Sequence, residues 1–363
     1  MLLALARALM PRAALALSVS AQSELLAKTE ELGLPCDAVT TYSSGLGFAL
    51  GLARVPGLRA RLLAQARAHR ADAVVSVMTH LWTPLVAPGL TRAGIAFVPI
   101  LHDAAPHPGD PAALWGWRLR RELAAASSAI TLSESVERAM RGFGPDLAMS
   151  RMRLGAHLEL PALAQGRPDG AQFANEAKPE PDSGPIRLLM FGRLRAYKGL
   201  DLLRDAWAML PPGIFTLRVV GDGPAELLAP GLSALPGVTL ETQWVAEADI
   251  PALFVQAHAV VLPYREASQS GIIPIALAMG VPVVATPAGG LAEQLRDGVD
   301  GLLAGAITAP ALAAALLQLT APGALARLSE GAQASGAGLA DWSAQAEVVL
   351  RVVEQNRSGA PHH

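Results

Sequence analysis

Phe191-Gly192-Arg193-Leu194-Arg195-Ala196-Tyr197-Lys198-Gly199-Leu200-Asp201 follows the apolar run Ile186 to Phe191 and precedes a Leu-rich periodic stretch. The run reads as a buried parallel strand and the stretch after it as a helix, so the quoted segment is a strand-to-helix turn. In an open α/β sheet the ligand crevice lies outside the carboxyl ends of the strands. An Arg and a Lys in this turn can therefore meet an anion beside helix N-termini. Arg193 offers a planar fork matched to phosphate oxygens, and Lys198 a mobile point charge. Taken alone, the segment fits a solvated basic loop equally well.

Outward from this turn the same rhythm continues. Thr216 to Val220, Val238 to Leu240, Ala259 to Leu262 and Val281 to Ala285 are short runs rich in Val and Leu, separated by helical stretches. They read as further buried parallel strands. Upstream, strands are expected at Leu15 to Ser20, Ala73 to Val77, Ala96 to Leu101 and Ala129 to Leu132, again with helices between. The segment Gly166 to Gly184 interrupts the pattern with Pro, Gly, Asn, Glu, Lys and Asp and no apolar period, which marks a linker or surface excursion. The expected division is a domain over 1–165, the excursion 166–184, a second domain over 185–340, and a C-terminal helix and tail over 341–363. A chain of 363 residues suits two α/β domains, each with its own core.

Three more turns fall on the carboxyl edge of the second domain's sheet. Gly221-Asp222-Gly223-Pro224 lets backbone approach a ligand closely. The loop Tyr264-Arg265-Glu266-Ala267-Ser268-Gln269-Ser270-Gly271-Ile272 has backbone amides that could hold a diphosphate without a side-chain charge. Gly280 to Gly290 supplies one more strand and turn, with Glu293 just beyond. In the first domain, His102-Asp103-Ala104-Ala105-Pro106-His107 follows a strand, and a His there can donate to a developing charge or orient a substrate hydroxyl. A turn histidine bonded to backbone fits His102 too. His80 could simply cap the loop before Pro84.

This series of turns, over Ile186 to about Gly305, resembles the C-terminal half of the retaining glycosyltransferases of family 4, also called group 1 glycosyltransferases. The resemblance implies the GT-B fold: an α/β protein of two Rossmann-like domains whose parallel sheets face each other across a cleft. It implies that Arg193 and Lys198, with Gly192, bind a donor diphosphate and serve catalysis. Gly221, Asp222, Gly223, Trp244 and Val245 would lie near the nucleoside base. Glu266, Gln269, Ser270, Gly271 and Ile272 would meet the donor sugar and phosphates. His102 would face the anomeric carbon, with Asp103 and His107 as further acceptor-side candidates. The family usually carries Glu-x7-Glu across the last loop. Here the second position falls on Ile275, which cannot accept a hydrogen bond, and Glu266 stands one residue out of register for the first. The closest resemblance is therefore to a bacterial subgroup with a Gln-Ser-Gly loop.

The expected reaction is transfer of a sugar from a nucleotide diphosphate-sugar to a hydroxyl of a glycan or glycolipid, with retention, in polysaccharide or glycolipid synthesis. No metal and no cofactor is expected, in keeping with the absence of an Asp-x-Asp triplet. The alternatives are an inactive or truncated GT-B chain, motivated by Ile275 and by a start directly at the helical Leu2 to Met10, and a GT-B nucleotide-sugar epimerase.

Composition narrows the field further. Hydrophobic residues make up 52% and charged residues 17%, with a net charge of -2, which argues against nucleic-acid binding through bulk electrostatics. The lone Cys36 cannot form an internal disulfide, so a reducing, cytoplasmic setting is expected. Arg7, Pro11 and Arg12 interrupt the apolar start, and no run reaches the roughly 18 apolar residues of a spanning helix. Membrane contact, where it occurs, would be peripheral; Trp115 and Trp117 with Arg118, Arg120 and Arg121 fit a half-buried helix surface or a headgroup contact. Gly45-x-Gly47-x-x-x-Gly51 hints at a dinucleotide site, but Asp72 starts its strand instead of ending it, so the ribose partner is missing. A serine hydrolase is excluded by the lack of Gly-x-Ser-x-Gly.

Overall fold

The computed structural model describes residues 1–42, 51–78, 80–106, 115–143, 146–158 and 184–358. The excursion expected at 166–184, apart from Gly184, lies outside these residues, as does His107. The contacts divide the chain into two compact units: Met1–Arg153 together with Trp342–His363, and Leu154–Asp341.

The second unit is built on a six-stranded parallel sheet. Its strands in chain order are β7 (Ile186–Phe191), β8 (Phe215–Val220), β9 (Val238–Glu241), β10 (Ala259–Leu262), β11 (Val283–Ala285) and β12 (Gly301–Leu303). Both sheet faces are covered at the centre, so β10 and β11 are apolar throughout, while Arg187 on β7 and Thr216 and Arg218 on β8 keep part of their surface exposed. Leu188, Met190, Leu217, Val219 and Val261 enter one core, while Leu189, Phe191, Val220, Val260 and Leu262 enter the other. Each such buried side chain is worth about 1.5–3 kcal/mol, so the sheet centre is the most strongly held part of this unit. The order β12-β11-β10-β7-β8-β9 reverses direction between β7 and β10. Such a switch point opens a crevice at the carboxyl ends of its two strands, because the connections leave in opposite directions there.

The first unit has a two-stranded parallel sheet of β1 (Leu17–Ser20) and β2 (Cys36–Val39). A second parallel sheet is ordered β3 (Ala73–Ser76), β4 (Ala96–Leu101), β5 (Ala129–Thr131), β6 (Met149–Arg151). The C-terminal helix Ser343–Ser358 belongs to this unit, packing on the helix Leu2–Leu9 and on β4 and β6. Its Gln345 donates to the Arg153 carbonyl at 3.1 Å, and its Asn356 to Ser128 Oγ at 2.7 Å. No single helix among the described residues is long and apolar enough to cross a membrane.

Candidate donor and acceptor sites

At the end of β7 the ladder with β8 continues past the strands. Gly192 N donates to the Val220 carbonyl at 3.0 Å, and Leu194 N to the Asp222 carbonyl at 2.7 Å, so the two turns are zipped together. Gly192 has φ 113°, and a Cβ there would stand 2.9 Å from Lys198 Nζ. Gly221 has φ 149°, and a Cβ there would collide with the Gly192 carbonyl oxygen. Only glycine suits both places.

The chain then makes a 3-10 turn over Ala196–Lys198, reverses through Gly199, and enters the helix Leu200–Trp207. That helix buries Leu200, Leu202, Leu203, Ala206 and Trp207, which anchors the turn from behind. Lys198 is 9% exposed, whereas Arg193 and Arg195 face solvent. Burial pushes the Lys198 ammonium below its usual range; Tyr197 opposes this, and the Arg193 and Arg195 charges add to it. An anion would relieve both the desolvation and the repulsion among these cations.

The loop after β10 packs on the same turn. Arg265 N donates to the Tyr197 carbonyl at 2.7 Å, and the Arg265 guanidinium pairs with Asp201 at 2.6 Å. Farther along, Gln294 clamps the Ser270 peptide twice: it accepts from Ser270 N at 2.7 Å and donates to Ser270 O at 3.0 Å. Ile272 N donates to Ser270 Oγ at 3.2 Å. The Gln269 side-chain oxygen is buried and makes no hydrogen bond. The His157 imidazole lies directly against Gly271.

The remaining expected donor residues are dispersed around this centre. Glu266 and Asp222 are exposed, Gly223 and Val245 half-buried, and Trp244 is 76% exposed beyond β9. Ile275 is 1% exposed and sits in the core with Ile273 and Leu277. Among the described residues no group of three or more His, Cys, Asp or Glu gathers as a metal site.

In the first unit His102 follows β4, half-buried, with Nε2 2.9 Å from the Val77 carbonyl. A carbonyl only accepts, so Nε2 carries the proton. Burial lowers the imidazole's pKa against the opposing effects of Val77 and Asp103, which leaves a neutral ring with Nδ1 as its acceptor. Asp103 is half-buried beside it. Arg118 lies over the Trp115 ring at 4.1 Å, and Trp115 Nε1 donates to the Ala104 carbonyl at 3.3 Å, tying the helix Trp115–Ala125 to the His102 turn. His80 accepts from Trp82 N at 3.2 Å, so it caps the turn before Pro84. Tyr42, His80 and Trp82 form an aromatic trio with centroids 5.1 to 5.5 Å apart.

A family model described as glycosyl transferases group 1 matches residues 185–321, which contain every donor-side turn above. The glycogen synthase of Mycobacterium tuberculosis is 30% identical over 334 residues, covering 84% of this chain and 75% of that relative. The chain belongs to the group 1 glycosyltransferases.

A GDP-mannose:glycolipid 4-beta-D-mannosyltransferase of Xanthomonas campestris is 32% identical to this group 1 glycosyltransferase over 152 residues, 38% of the chain and 41% of that relative. The solved structure of Anabaena Alr3699/HepE with UDP and glucose superposes at a TM-score of 0.72 and 20% identity, covering 99% of this chain and 95% of that one. At that identity the likeness is one of fold, and the fold is GT-B. Nothing in the sequence signals a role for Gln294 or His157 in this glycosyltransferase, and Tyr264 is placed in the loop without its side chain being marked. Each enters by tertiary contact.

Proposed function

We propose that this glycosyltransferase moves a sugar from a nucleotide diphosphate-sugar to an acceptor hydroxyl with retention of anomeric configuration. In this reading the second unit binds the donor and the first serves the acceptor. The observation that carries it is the buried Lys198 at the switch point of β7 and β10, beside Arg193 and facing no paired carboxylate among the described residues. A crevice that concentrates positive charge without neutralising it suits a diphosphate.

The sugar passes through an oxocarbenium-like state while charge grows on the departing diphosphate, so Arg193 and Lys198 act chiefly by electrostatic stabilisation. The bond from the anomeric carbon to the phosphate oxygen breaks as the bond to the acceptor oxygen forms on the same face. The acceptor proton goes to the departing phosphate, and no protein nucleophile is needed. Neutral His102, through Nδ1, accepts from a sugar hydroxyl and orients it. Glu266 and the Gln269 to Ile272 loop face the donor sugar and phosphates, and Trp244 and Val245 the base.

A nucleotide donor is supported by the UDP held in the Anabaena structure and the GDP-mannose in the name of the Xanthomonas relative. The names of the relatives also favour a glycan or glycolipid acceptor. The protein acts in the cytoplasm, with peripheral contact at the inner face of the membrane. That contact is supported by the exposed Arg54, Arg67 and Arg70; Arg61, in the same stretch, is neutralised by Asp37, and Arg59 packs against Gly89.

The test is donor turnover with UDP- and GDP-sugars. Lys198→Ala with an unchanged melting curve is expected to lose about 100-fold or more; turnover within about threefold of wild type would sink the assignment. Proton NMR of the product reports the anomeric configuration, and an inverted product removes the same-face step.

A further inference from the structure

Among the described residues, Lys198 pairs with no acid. What covers its ammonium is an aromatic face: Nζ lies 5.2 Å from the centroid of the Tyr264 ring. That is within cation–π range, and the attraction grows when the cation is desolvated, as this one is. Gly192 is also close, near enough that a Cβ would reach 2.9 Å from Nζ. The ammonium thus has a ring and a backbone without a side chain as near neighbours.

Tyr264 is itself fixed on every side. It is 3% exposed, its carbonyl accepts from the hydroxyl of the fully buried Thr286, and its ring meets Tyr197 edge-on at 6.2 Å. The next residue, Arg265, is bonded to the Tyr197 carbonyl and to Asp201. The Tyr264 hydroxyl hydrogen-bonds the Ser270 side chain, whose Oγ also accepts from Ile272 N. One side chain therefore touches the lysine turn and the Gln269 to Ile272 loop together.

We infer that Tyr264 is a positioning residue for donor binding: its ring holds the Lys198 ammonium in place before Gly192, and its hydroxyl ties that platform to the Ser270 turn. The inference rests on Lys198 meeting the donor diphosphate. The charged and titratable groups facing the ammonium are Arg193 and Arg195, which repel it, and Tyr197, which favours it. Burial pushes the Tyr264 hydroxyl up to about 12, so over the working range its contribution is the ring's quadrupole and not a phenolate charge.

Calorimetric binding of UDP and of GDP to the full chain, from pH 7 to 10, tests this. Wild type is compared with Lys198→Ala, Tyr264→Leu, Tyr264→Phe, and a chain carrying a ring-fluorinated phenylalanine at 264. Loss of the ring in Tyr264→Leu is expected to move the alkaline limb of affinity down by about one pH unit. Tyr264→Phe restores the limb and keeps only a weakening of about threefold from the lost Ser270 bond. The fluorinated ring keeps the shape and loses the negative face, so it shifts the limb as leucine does. It decides the matter if Tyr264→Leu does not fold. A wild-type limb in the leucine and fluorinated chains, with affinity lost in Lys198→Ala, overturns the role of Tyr264 alone. Undiminished affinity in Lys198→Ala overturns the diphosphate reading and this inference with it.

Discussion

Lys198 is a cation stored at a disadvantage. Burial lowers its native pKa, with Arg193 and Arg195 adding to the effect, so its charged form is penalised in the free folded chain. That penalty is fully present below the lowered native value and fades as pH rises toward the ordinary lysine value of 10.5. A bound diphosphate raises the value again. Donor binding between those two limits should therefore take up protons, and affinity should fall as pH climbs through the window. Calorimetry of UDP or GDP binding at a series of pH values below 10.5, in buffers of different ionisation enthalpy, measures the uptake directly. Proton release, or no buffer dependence, would mean that Lys198 does not meet the anion. His102 is the opposite case at the same scale: its Nε2 is committed to the Val77 carbonyl. It is suited to accepting a hydrogen bond through Nδ1, and not to donating one without taking on a proton.

Among the elements, the loop from Tyr264 to Ile272 depends on a residue outside it. Gln294 holds the Ser270 peptide by two hydrogen bonds from the helix Leu291–Gln294. Gln294→Leu removes both and leaves the buried Ser270 amide and carbonyl without those partners, so donor KM should rise about tenfold and the chain should lose about 1–3 kcal/mol of stability. Steady-state kinetics against donor concentration checks it, and an unchanged KM would show that the loop is held otherwise. The clamp was not legible in the sequence, because nothing local links position 294 to 270. The strands were legible wherever both faces are buried: Ala259 to Leu262 carries that signature in every residue and Ile186 to Phe191 in all but Arg187, and β10 and β7 occupy those positions. Cys36–Val39, Met149–Arg151 and Gly301–Leu303 did not announce themselves. All three lie at sheet edges, where one partner suffices and Asp37, Ser150 or Gly301 is tolerated. The turns after β7 and β8 were readable for a related reason: their glycines and cations sit next to strands that were themselves plain.

For the whole molecule, the first unit carries the arginines of 51–71, of which Arg59, Arg61 and Arg67 lie on the helix Val55–Ala68. If the exposed Arg54, Arg67 and Arg70 meet an anionic bilayer, the chain should co-sediment with vesicles containing phosphatidylglycerol at low salt and dissociate toward 0.5 M salt, since exposed charges are screened over about 10 Å at 0.1 M. Replacing Arg54, Arg67 and Arg70 together by Gln should weaken membrane affinity about a hundredfold, at roughly 1 kcal/mol per cation. Equal binding to neutral phosphatidylcholine vesicles would contradict the charge argument. The same variant should keep UDP and GDP affinity, because the donor turns belong to the other unit.

The central claim is that the β7 turn receives the donor diphosphate. A crystal structure of the chain with UDP or GDP tests it most directly. Phosphate oxygens are expected within about 2.7–3.2 Å of Lys198 Nζ and of the Arg193 guanidinium, with the lysine still over the Tyr264 ring. A nucleotide bound at full occupancy with its phosphates away from both side chains would contradict it.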